Sequence, residues 1–201
     1  MTITYEYDGS LYINITNRCS NACDFCVRTQ ADGFYADSLW LEREPSVEEI
    51  IEDIKKRGVE NYNSIVFCGY GEPTERLEDM LAVCDAVREI SDLTIRLNTN
   101  GQSDLINGRE TAKEFEKRFD VISISLNAAN AEEYDGVCHS VYGPNAYNAV
   151  IKFASDVKNY VPETVFSVVR GTIPDEDLEK CREIADKAGV KLRIREYIKN
   201  N

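Results

Sequence analysis

Three cysteines lie close together near the start of the chain. Cys19, Cys23 and Cys26 form a C-x3-C-x2-C pattern, and three thiolates within eight residues can converge on one metal centre. A structural zinc site needs four ligands, usually supplied as two separated pairs, and no further pair follows at a matching spacing. Three thiolates suit an iron–sulfur cluster that keeps one iron open, and an open metal position can bind and activate a ligand.

The other cysteines and the single histidine have different interpretations. Cys84 and Cys181 lie on the apolar sides of two predicted helices, and buried free cysteines are common in protein cores. His139 follows Cys138 in a predicted loop and is an alternative metal ligand. The cysteine count of seven is odd, and the first residues do not resemble a secretory signal. Metal binding or catalysis in the cytoplasm is therefore favoured over disulfide formation.

Segments with strand and helix patterns alternate along the chain and would position these residues. Ser46 followed by Glu49 forms a capping box, which predicts where the first long helix begins. The predicted helices span residues 46–57, 77–90, 110–118, 146–158 and 175–187. The predicted strands span residues 11–16, 64–68, 93–98, 121–126, 165–169 and 191–197. Six alternating units predict an α/β fold with a parallel sheet and right-handed crossovers.

Polar and apolar residues alternate within several predicted strands. Thr94, Arg96 and Asn98 alternate with leucine and isoleucine in one strand, and Ser123 and Ser125 alternate with isoleucines in the next. Each such strand has one polar side, whereas parallel strands buried on both sides are apolar throughout. The pattern predicts a partial (β/α)6 barrel, a curved parallel six-stranded sheet with outer helices and a polar interior. The alternative is that these polar residues satisfy one another at strand ends.

Length, composition and charge limit the class of protein. The 201 residues suit one domain, and 43% apolar with 29% charged residues is ordinary for a folded globular protein. A membrane span needs roughly 20 consecutive apolar residues, and no run approaches that length. The net charge of −13 and the lack of a stripe of lysines and arginines disfavour nucleic-acid binding.

The cysteine motif and a second segment resemble the radical S-adenosylmethionine (SAM) superfamily. An aromatic residue before the last cysteine, here Phe25, belongs to that signature. Residues 68–73, Cys-Gly-Tyr-Gly-Glu-Pro, resemble the Gly-Gly-Glu-Pro segment that holds the amino group of SAM, with a tyrosine inserted. The resemblance assigns Gly69, Gly71 and Glu72 to cofactor binding, since glycines allow close backbone approach and a carboxylate pairs with an ammonium. A tight turn into the next helix is the alternative.

Later segments extend the resemblance over about residues 11–197. Asn98 and Asn100 lie in a stretch similar to the family's Thr-Asn-Gly turn. Ser125 and Asn127 match positions that hold the ribose hydroxyls and the methionine carboxylate, and Val168 matches a position near adenine. The best fit is to the small radical SAM proteins associated with TatD-type nucleases, through residues 17–19, 23–28 and 37–42.

The resemblance implies that Cys19, Cys23 and Cys26 hold a [4Fe-4S] cluster whose fourth iron binds SAM. Reductive cleavage of SAM then gives a 5′-deoxyadenosyl radical that abstracts hydrogen from a substrate. It also implies a low-potential donor, flavodoxin- or ferredoxin-like, and a reducing cytoplasm, because an open iron is oxygen-sensitive. Phe25 would shield the cluster near adenine, with loop packing as the alternative. Residues 1–201 would form a single radical SAM core without an auxiliary cluster domain.

Candidate substrate residues lie on the predicted polar side of the sheet. Arg96, Arg193 and Arg195 are suited to holding an anionic group. Ion pairing is the alternative, with the possible partners Glu42, Glu72 and Glu196. Cys68 is either a radical relay or a small core residue, and Trp40 either covers the mouth or packs normally.

The sequence leaves three hypotheses for the activity. The first is a radical enzyme acting on a small molecule enclosed by the sheet. The second is an activating or modifying enzyme for a protein or peptide partner, which requires an open lateral cleft. The third is a non-catalytic module that binds a metal or cluster. A cofactor cradle formed by Gly71, Glu72, Ser125 and Asn127 disfavours the third, because a structural site needs no such cradle.

Overall fold

The computed structural model describes residues 1–30 and 38–196, which form a mixed sheet covered by helices on one side. The strands are β1 Thr4–Tyr7, β2 Ser10–Ile13, β3 Ser64–Phe67, β4 Thr94–Thr99, β5 Val121–Ser125, β6 Glu163–Val169 and β7 Lys191–Arg195. Their order in the sheet is their order in the chain. β1 pairs antiparallel with β2, and β2 to β7 are parallel. Parallel strands in sequential order are the arrangement of a partial (β/α) barrel.

Helices connect the parallel strands. They are α1 Val27–Gln30, α2 Val47–Arg57, α3 Leu77–Arg88, α4 Ser103–Asn107, α5 Ala131–Cys138, α6 Asn145–Val157 and α7 Asp175–Ala188. Short 3-10 turns span Val59–Asn61, Pro73–Arg76 and Ala112–Phe115. The capping box of α2 is confirmed, because the Glu49 backbone N–H donates to Ser46 Oγ and the Ser46 N–H donates to the Glu49 carboxylate. Among the described residues, none of these helices has both the length and the apolar character that a membrane crossing requires.

The six predicted strands are confirmed as β2 to β7, and the structure adds β1. A tight turn at Asp8 and Gly9 joins β1 to β2, and both residues have positive φ angles, 48° and 70°. An Asp-Gly pair is a strong local signal for a two-residue hairpin, so the sequence carried this information. The last predicted strand was drawn to residue 197, which lies outside the described residues.

The helix predicted for residues 110–118 is wrong. The 3-10 turn Ala112–Phe115 lies in this range, and the short helix α4 precedes it. Between them the Thr111 hydroxyl donates to the Asp104 carboxylate at 2.9 Å, which holds the chain in a tight connection. Phe115 and Phe119 are both fully buried. Their spacing of four residues imitates a helical pattern, although Lys117, with a φ of 63°, interrupts the helix between them.

The two sides of the sheet differ as predicted. Apolar strand residues such as Ile13, Phe67 and Leu97 pack with the helices in the main core. The opposite side, here called the inner face, carries Tyr5, Tyr12, Cys68, Arg96, Asn98, Ser123, Ser125, Ser167, Arg193 and Arg195. The sheet is open, and within the described chain β1 and β7 are its two edges.

The sheet also curves around its inner face. Arg195 on β7 lowers the pKa of the Cys68 thiol just after β3, although four strand spacings separate these elements. In a flat sheet four strand spacings amount to about 19 Å. That distance exceeds the Debye screening length in physiological salt. Curvature brings β3 and β7 toward a common space, and the predicted partial barrel is confirmed.

Candidate functional site

The loops after β2 and β3 are pressed together at the carboxyl edge of the sheet. A Cβ atom added to Gly71 would lie 2.3 Å from the Thr16 carbonyl oxygen, and one added to Gly69 would lie 2.0 Å from Asn14 Oδ1. The Glu72 backbone N–H donates to the Arg18 carbonyl at 2.8 Å. Both glycines are therefore needed for the β3 loop to lie against the loop that carries Cys19.

Glu72 joins the β3 loop to the β4 loop. Its Oε1 accepts hydrogen bonds from the Thr74 N–H, the Thr74 hydroxyl and the Thr99 hydroxyl, and its Oε2 accepts from the Asn100 N–H at 2.6 Å. The side chain is buried, and burial raises the pKa of this carboxyl despite these donors. The carboxylate therefore organises the loops. Its Oε2 accepts only one hydrogen bond among the described residues, so it can still bind a second donor or a cation.

The three motif cysteines lie on one half-buried loop. Burial raises the pKa of the Cys19 thiol to about 12, and the charge of Glu72 adds to the effect. The pKa of Cys23 is also raised, first by a hydrogen bond with the Cys138 thiol and then by burial. Burial raises the pKa of Cys26. A thiol that must become a thiolate in such a place needs a positive centre to stabilise it.

The fit of an iron–sulfur cluster to this loop depends on its donors. Three free thiols on one loop are the donor set of a [4Fe-4S] cluster with one open iron, so the residue types fit. In the residues that the structure describes, no three His, Cys, Asp or Glu side chains stand together as a metal-binding group. The Cys23 thiol instead faces Cys138, which sequence reasoning did not link to the motif.

A buried network centred on Gln102 holds the cysteine loop in place. Gln102 Oε1 accepts from the hydroxyls of Ser20 and Ser140 at 3.0 and 2.9 Å. Gln102 Nε2 donates to Asn21 Oδ1 and to the Tyr134 hydroxyl, each at 2.8 Å. The amide thus uses both donors and both acceptor sites, and it connects the cysteine loop, the β4 loop and α5. Sequence reasoning did not single out this residue.

Helix α5, absent from the sequence prediction, supports the same loop. Its end accepts two backbone hydrogen bonds from the cysteine loop, from the Ala22 N–H to the Cys138 carbonyl and from the Asp24 N–H to the Val137 carbonyl. His139 Nε2 lies 2.9 Å from an Asp24 oxygen, so this histidine pairs with a carboxylate on the exposed side of the loop. The helix begins at a cap in which Asn130 Oδ1 accepts from the Glu133 N–H, and this Asn-x-x-Glu pattern was the available sequence signal.

Other predicted cofactor residues line the same edge. Asn100 Nδ2 donates to Ser20 Oγ, and Asn127 Nδ2 donates to the Cys138 sulfur at 3.5 Å. Asn127 has a φ of 59°, a left-handed conformation that asparagine tolerates. Ser125 is half-buried on the inner face, and Phe25 packs at the border of the core.

Two predicted residues have distinctive surroundings. Asn98 Oδ1 is buried, and the described residues supply it with no hydrogen-bond donor. Such an acceptor is costly unless a ligand satisfies it. Val168 is fully buried in the main core, on the helix-facing side of β6. A contact between this residue and a ligand on the inner face is therefore limited to its backbone.

The inner face carries arginines that lack carboxylate partners. Arg96 Nη2 donates to the Tyr12 hydroxyl at 3.0 Å, and Arg193 Nη2 donates to Ser123 Oγ at 3.2 Å. Within the described residues no carboxylate pairs with Arg96, Arg193 or Arg195. The alternative of ion pairs with Glu72 or Glu196 is wrong, because Glu72 binds neutral donors and Glu196 pairs with Arg170.

Cys68 lies on this inner face beside the arginines. Burial raises the pKa of the Cys68 thiol, while a hydrogen bond from Asn98 and the charges of Arg195 and Arg96 lower it. The hydroxyl of Tyr5 donates to the Cys68 carbonyl at 3.2 Å. The thiol therefore stands among polar and charged groups rather than in the apolar core.

Trp40 packs on the loop after β3. Its ring meets that of Tyr70 edge to face, with centroids 5.2 Å apart, and it remains about half exposed at 48%. The segment is fixed to the loop after β2, because Asn14 Nδ2 donates to the Leu39 carbonyl and Asn17 Nδ2 donates to the Leu41 carbonyl. The tryptophan thus covers the glycine loop next to the cysteines. Arg28 donates to the Asn21 carbonyl, within the cysteine loop itself.

The described surface also has two open hollows away from this edge. One, of about 420 Å³, lies beside Arg88 and Arg118. The other, of about 540 Å³, lies beside Lys158 and Lys191. None of the residues predicted for the site lines either hollow, so the polar inner face and its carboxyl edge remain the candidate site.

A curved parallel sheet with a three-cysteine loop at its carboxyl edge defines a class of barrel proteins whose cofactors bind at that edge. Residues 13–187 match the radical SAM superfamily, and the chain belongs to this superfamily of enzymes. Among curated proteins, no sequence matches the chain.

Solved structures share the fold. SuiB of Streptococcus suis bound to its precursor peptide SuiA is 18% identical with a TM-score of 0.68, over 97% of this chain and 40% of that chain. anSMEcpe with bound AdoMet and Cp18Cys peptide is 21% identical with a TM-score of 0.68, over 94% and 51%. The hydrogenase maturase HydG of Carboxydothermus hydrogenoformans is 14% identical with a TM-score of 0.64, over 95% and 44%. This chain therefore spans about half or less of these proteins, and at such identities the likeness concerns the fold.

Proposed function

We propose that the chain is a radical SAM enzyme in which Cys19, Cys23 and Cys26 hold a [4Fe-4S] cluster that binds SAM at its open iron. The observation that carries this proposal is the half-buried three-cysteine loop, fixed against the β3 and β4 loops in a chain of this superfamily. When bound and reduced, the cluster and SAM supply a 5′-deoxyadenosyl radical for hydrogen abstraction from a substrate.

The loops at the carboxyl edge would bind and orient SAM. Glu72 Oε2 and the backbone of Gly69 and Gly71 would receive the amino group. Asn98, whose Oδ1 is a buried acceptor lacking a donor in the described structure, would bind a polar group of the cofactor. The side chains Asn100, Ser125 and Asn127 would hold the ribose and carboxylate, while Phe25 and the backbone of Val168 would border the adenine. Asn100, Ser125 and Asn127 all lie at the carboxyl edge of the sheet.

The remaining groups on the inner face would serve the substrate. Arg96 and Arg195 would bind and orient it, and Cys68 would stand close enough to exchange a hydrogen atom with it. Because Trp40 packs on Tyr70 of the glycine loop, it would help exclude water from the cofactor. A low-potential flavodoxin- or ferredoxin-like donor and a reducing cytoplasm complete the proposal. Within the superfamily, the small TatD-associated radical SAM proteins remain the subgroup we propose.

A second candidate is an activating or modifying enzyme for a protein or peptide. The open sheet favours it, because β1 and β7 do not pair in the described structure and the inner face is therefore open at the side there. Two fold relatives were solved with peptides, SuiB with SuiA and anSMEcpe with Cp18Cys. The two candidates share the cofactor chemistry and differ only in the size of the substrate.

The test is the formation of 5′-deoxyadenosine and methionine from SAM by the anaerobically reconstituted, dithionite-reduced protein. The proposal predicts both products, and it predicts their loss in Cys19→Ala. Cys181→Ala is the matched control, since this buried thiol lies on α7 and contacts the Ala128 carbonyl. Equal product yield from Cys19→Ala and wild type would refute the cysteine assignment. Zinc in the purified protein and the absence of products would favour a non-catalytic module.

A further inference from the structure

The inner face concentrates positive charge in a protein of net charge −13. Arg96 lies on β4, and Arg193 and Arg195 lie on the same side of β7. Arginines elsewhere, such as Arg76, Arg88 and Arg118, contact carboxylates. Within the described chain the three inner-face arginines do not. An acidic protein that leaves these cations unneutralised at one place has a local field of opposite sign to its overall charge.

The charges of Arg96 and Arg195 both act on the guanidinium of Arg193. Partial burial lowers the pKa of Arg193, and the charges of Arg96 and Arg195 lower it further. Like charges gathered in this way disfavour the charged state of each other unless an anion joins them. The Nε of Arg96 is also buried, and the described residues supply it with no acceptor. Glu163 acts on Arg193 in the opposite direction but forms no ion pair with it in the described structure. The site thus has positive charge without an ion-paired carboxylate, and an unused donor.

Hydroxyl acceptors and aromatic rings complete the arrangement. Arg96 reaches the Tyr12 hydroxyl, and Arg193 reaches Ser123 Oγ, so each guanidinium is held toward the inner face rather than along its own strand. The ring of Tyr12 packs against those of Tyr5 and Tyr7, with centroids 5.1 and 5.8 Å apart. These rings form an apolar wall at the β1 edge of the charged group.

The position of Arg96 separates it from the proposed cofactor site. Arg96 precedes Asn98 by two residues on β4, so it lies one layer deeper in the sheet than the loops at the carboxyl edge. A ligand whose charged end reaches Arg96 can extend its other end toward those loops. This orientation places an anchor at one end of a substrate and the reacting group at the other.

We propose that Arg96, Arg193 and Arg195 form a subsite for a dianionic oxyanion group of the substrate, either a phosphate monoester or a pair of carboxylates. The planar guanidinium forks match such oxygens, and the charge of a dianion offsets most of the repulsion among the three cations. The proposal rests on the proposed function, because it assigns the substrate class of the same site.

The test is isothermal titration calorimetry of the anaerobically reconstituted protein with SAM. The probes are inorganic phosphate, succinate and chloride at equal ionic strength. We expect phosphate, succinate or both to bind more tightly than chloride. Phosphate alone indicates a phosphate monoester, and succinate alone indicates a dicarboxylate. The double variant Arg193→Gln/Arg195→Gln should raise the dissociation constant at least about tenfold, as expected for lost charge-assisted hydrogen bonds.

Arg182→Gln is the matched control, because Arg182 is an exposed arginine of α7 that pairs with Glu179. It removes one positive charge far from the inner face and should bind the probes like wild type. Binding no tighter than that of chloride, or equal binding by the double variant, would overturn the subsite. A protein that cleaves SAM yet binds neither dianion refutes the subsite alone. A protein that binds a dianion but does not cleave SAM refutes the proposed function and leaves the anion site.

Discussion

Gln102 is the residue whose replacement tests the architecture of the cysteine loop. Gln102→Leu keeps a side chain of similar size and removes four hydrogen bonds, those with Ser20, Ser140, Asn21 and Tyr134. Tyr134 keeps the hydrogen bond donated by Asn21 Nδ2. The hydroxyls of Ser20 and Ser140 and the Oδ1 of Asn21 are buried, and each loses its hydrogen bond to Gln102.

The magnitude follows from those three groups. An unsatisfied buried polar group costs about 1–3 kcal/mol, and the leucine side chain offsets part of this by apolar burial. We expect Gln102→Leu to lower the free energy of unfolding by about 3 kcal/mol. This is a large share of the roughly 10 kcal/mol typical of a domain.

The assay is urea denaturation followed by circular dichroism, together with hydrogen exchange of the cysteine loop. Asn159→Leu is the control, because Asn159 is exposed and bonds only to carbonyls at the end of α6 in the described structure. The control should cost at most about 1 kcal/mol. A loss below about 1 kcal/mol in Gln102→Leu, or unchanged exchange of the Ala22 and Asp24 amides, would refute the role of this network.

Three further changes have defined outcomes. Gly71→Ala should lower the free energy of unfolding by about 3 kcal/mol in urea, because its Cβ meets the Thr16 carbonyl at 2.3 Å. Gly136→Ala, in open space within α5, should raise the free energy of unfolding by about 0.5–1 kcal/mol. Equal changes in the two alanine variants would contradict the clash at Gly71. The raised pKa of Glu72 stabilises the fold below pH 4.5, and this contribution is lost as the pH rises through the raised value. The difference in free energy of unfolding between wild type and Glu72→Gln should therefore fall above pH 4.5 in urea titrations. A difference that rises with pH would contradict the raised pKa of Glu72. Arg193→Gln should change the free energy of unfolding by less than about 1 kcal/mol, because relief of the repulsion from Arg96 and Arg195 offsets the lost hydrogen bond to Ser123. A larger loss of stability at low salt would contradict that repulsion.

The parts of the structure that follow from local patterns were predictable. The alternation of Arg96 and Asn98 with apolar residues identified the polar side of β4, because side chains on a strand alternate between two faces. The capping box at Ser46 identified the start of α2, since both of its hydrogen bonds lie within four residues. The spacing of the three cysteines likewise required no knowledge of distant residues.

The contacts that fix the site depend on segments far apart in the chain. Ser20 and Gln102 are 82 residues apart, and only the order of strands in the sheet brings them together. The hydrogen bonds that Thr99 and Asn100 donate to Glu72, and the approach of Cys138 to Cys23, depend on the same long-range arrangement. The lack of carboxylate partners for the inner-face arginines also required the structure, because the sequence offers enough acidic residues to pair them all.

The most direct test of the central claim is the electron paramagnetic resonance spectrum of the anaerobically reconstituted, reduced protein with and without SAM. The account predicts about four irons and four sulfides per chain, and a [4Fe-4S]⁺ signal that shifts when SAM binds the open iron. Cys19→Ala, Cys23→Ala and Cys26→Ala should each lose the signal, while Cys84→Ala retains it. A signal indifferent to SAM, or one that survives loss of a motif cysteine, would contradict the account.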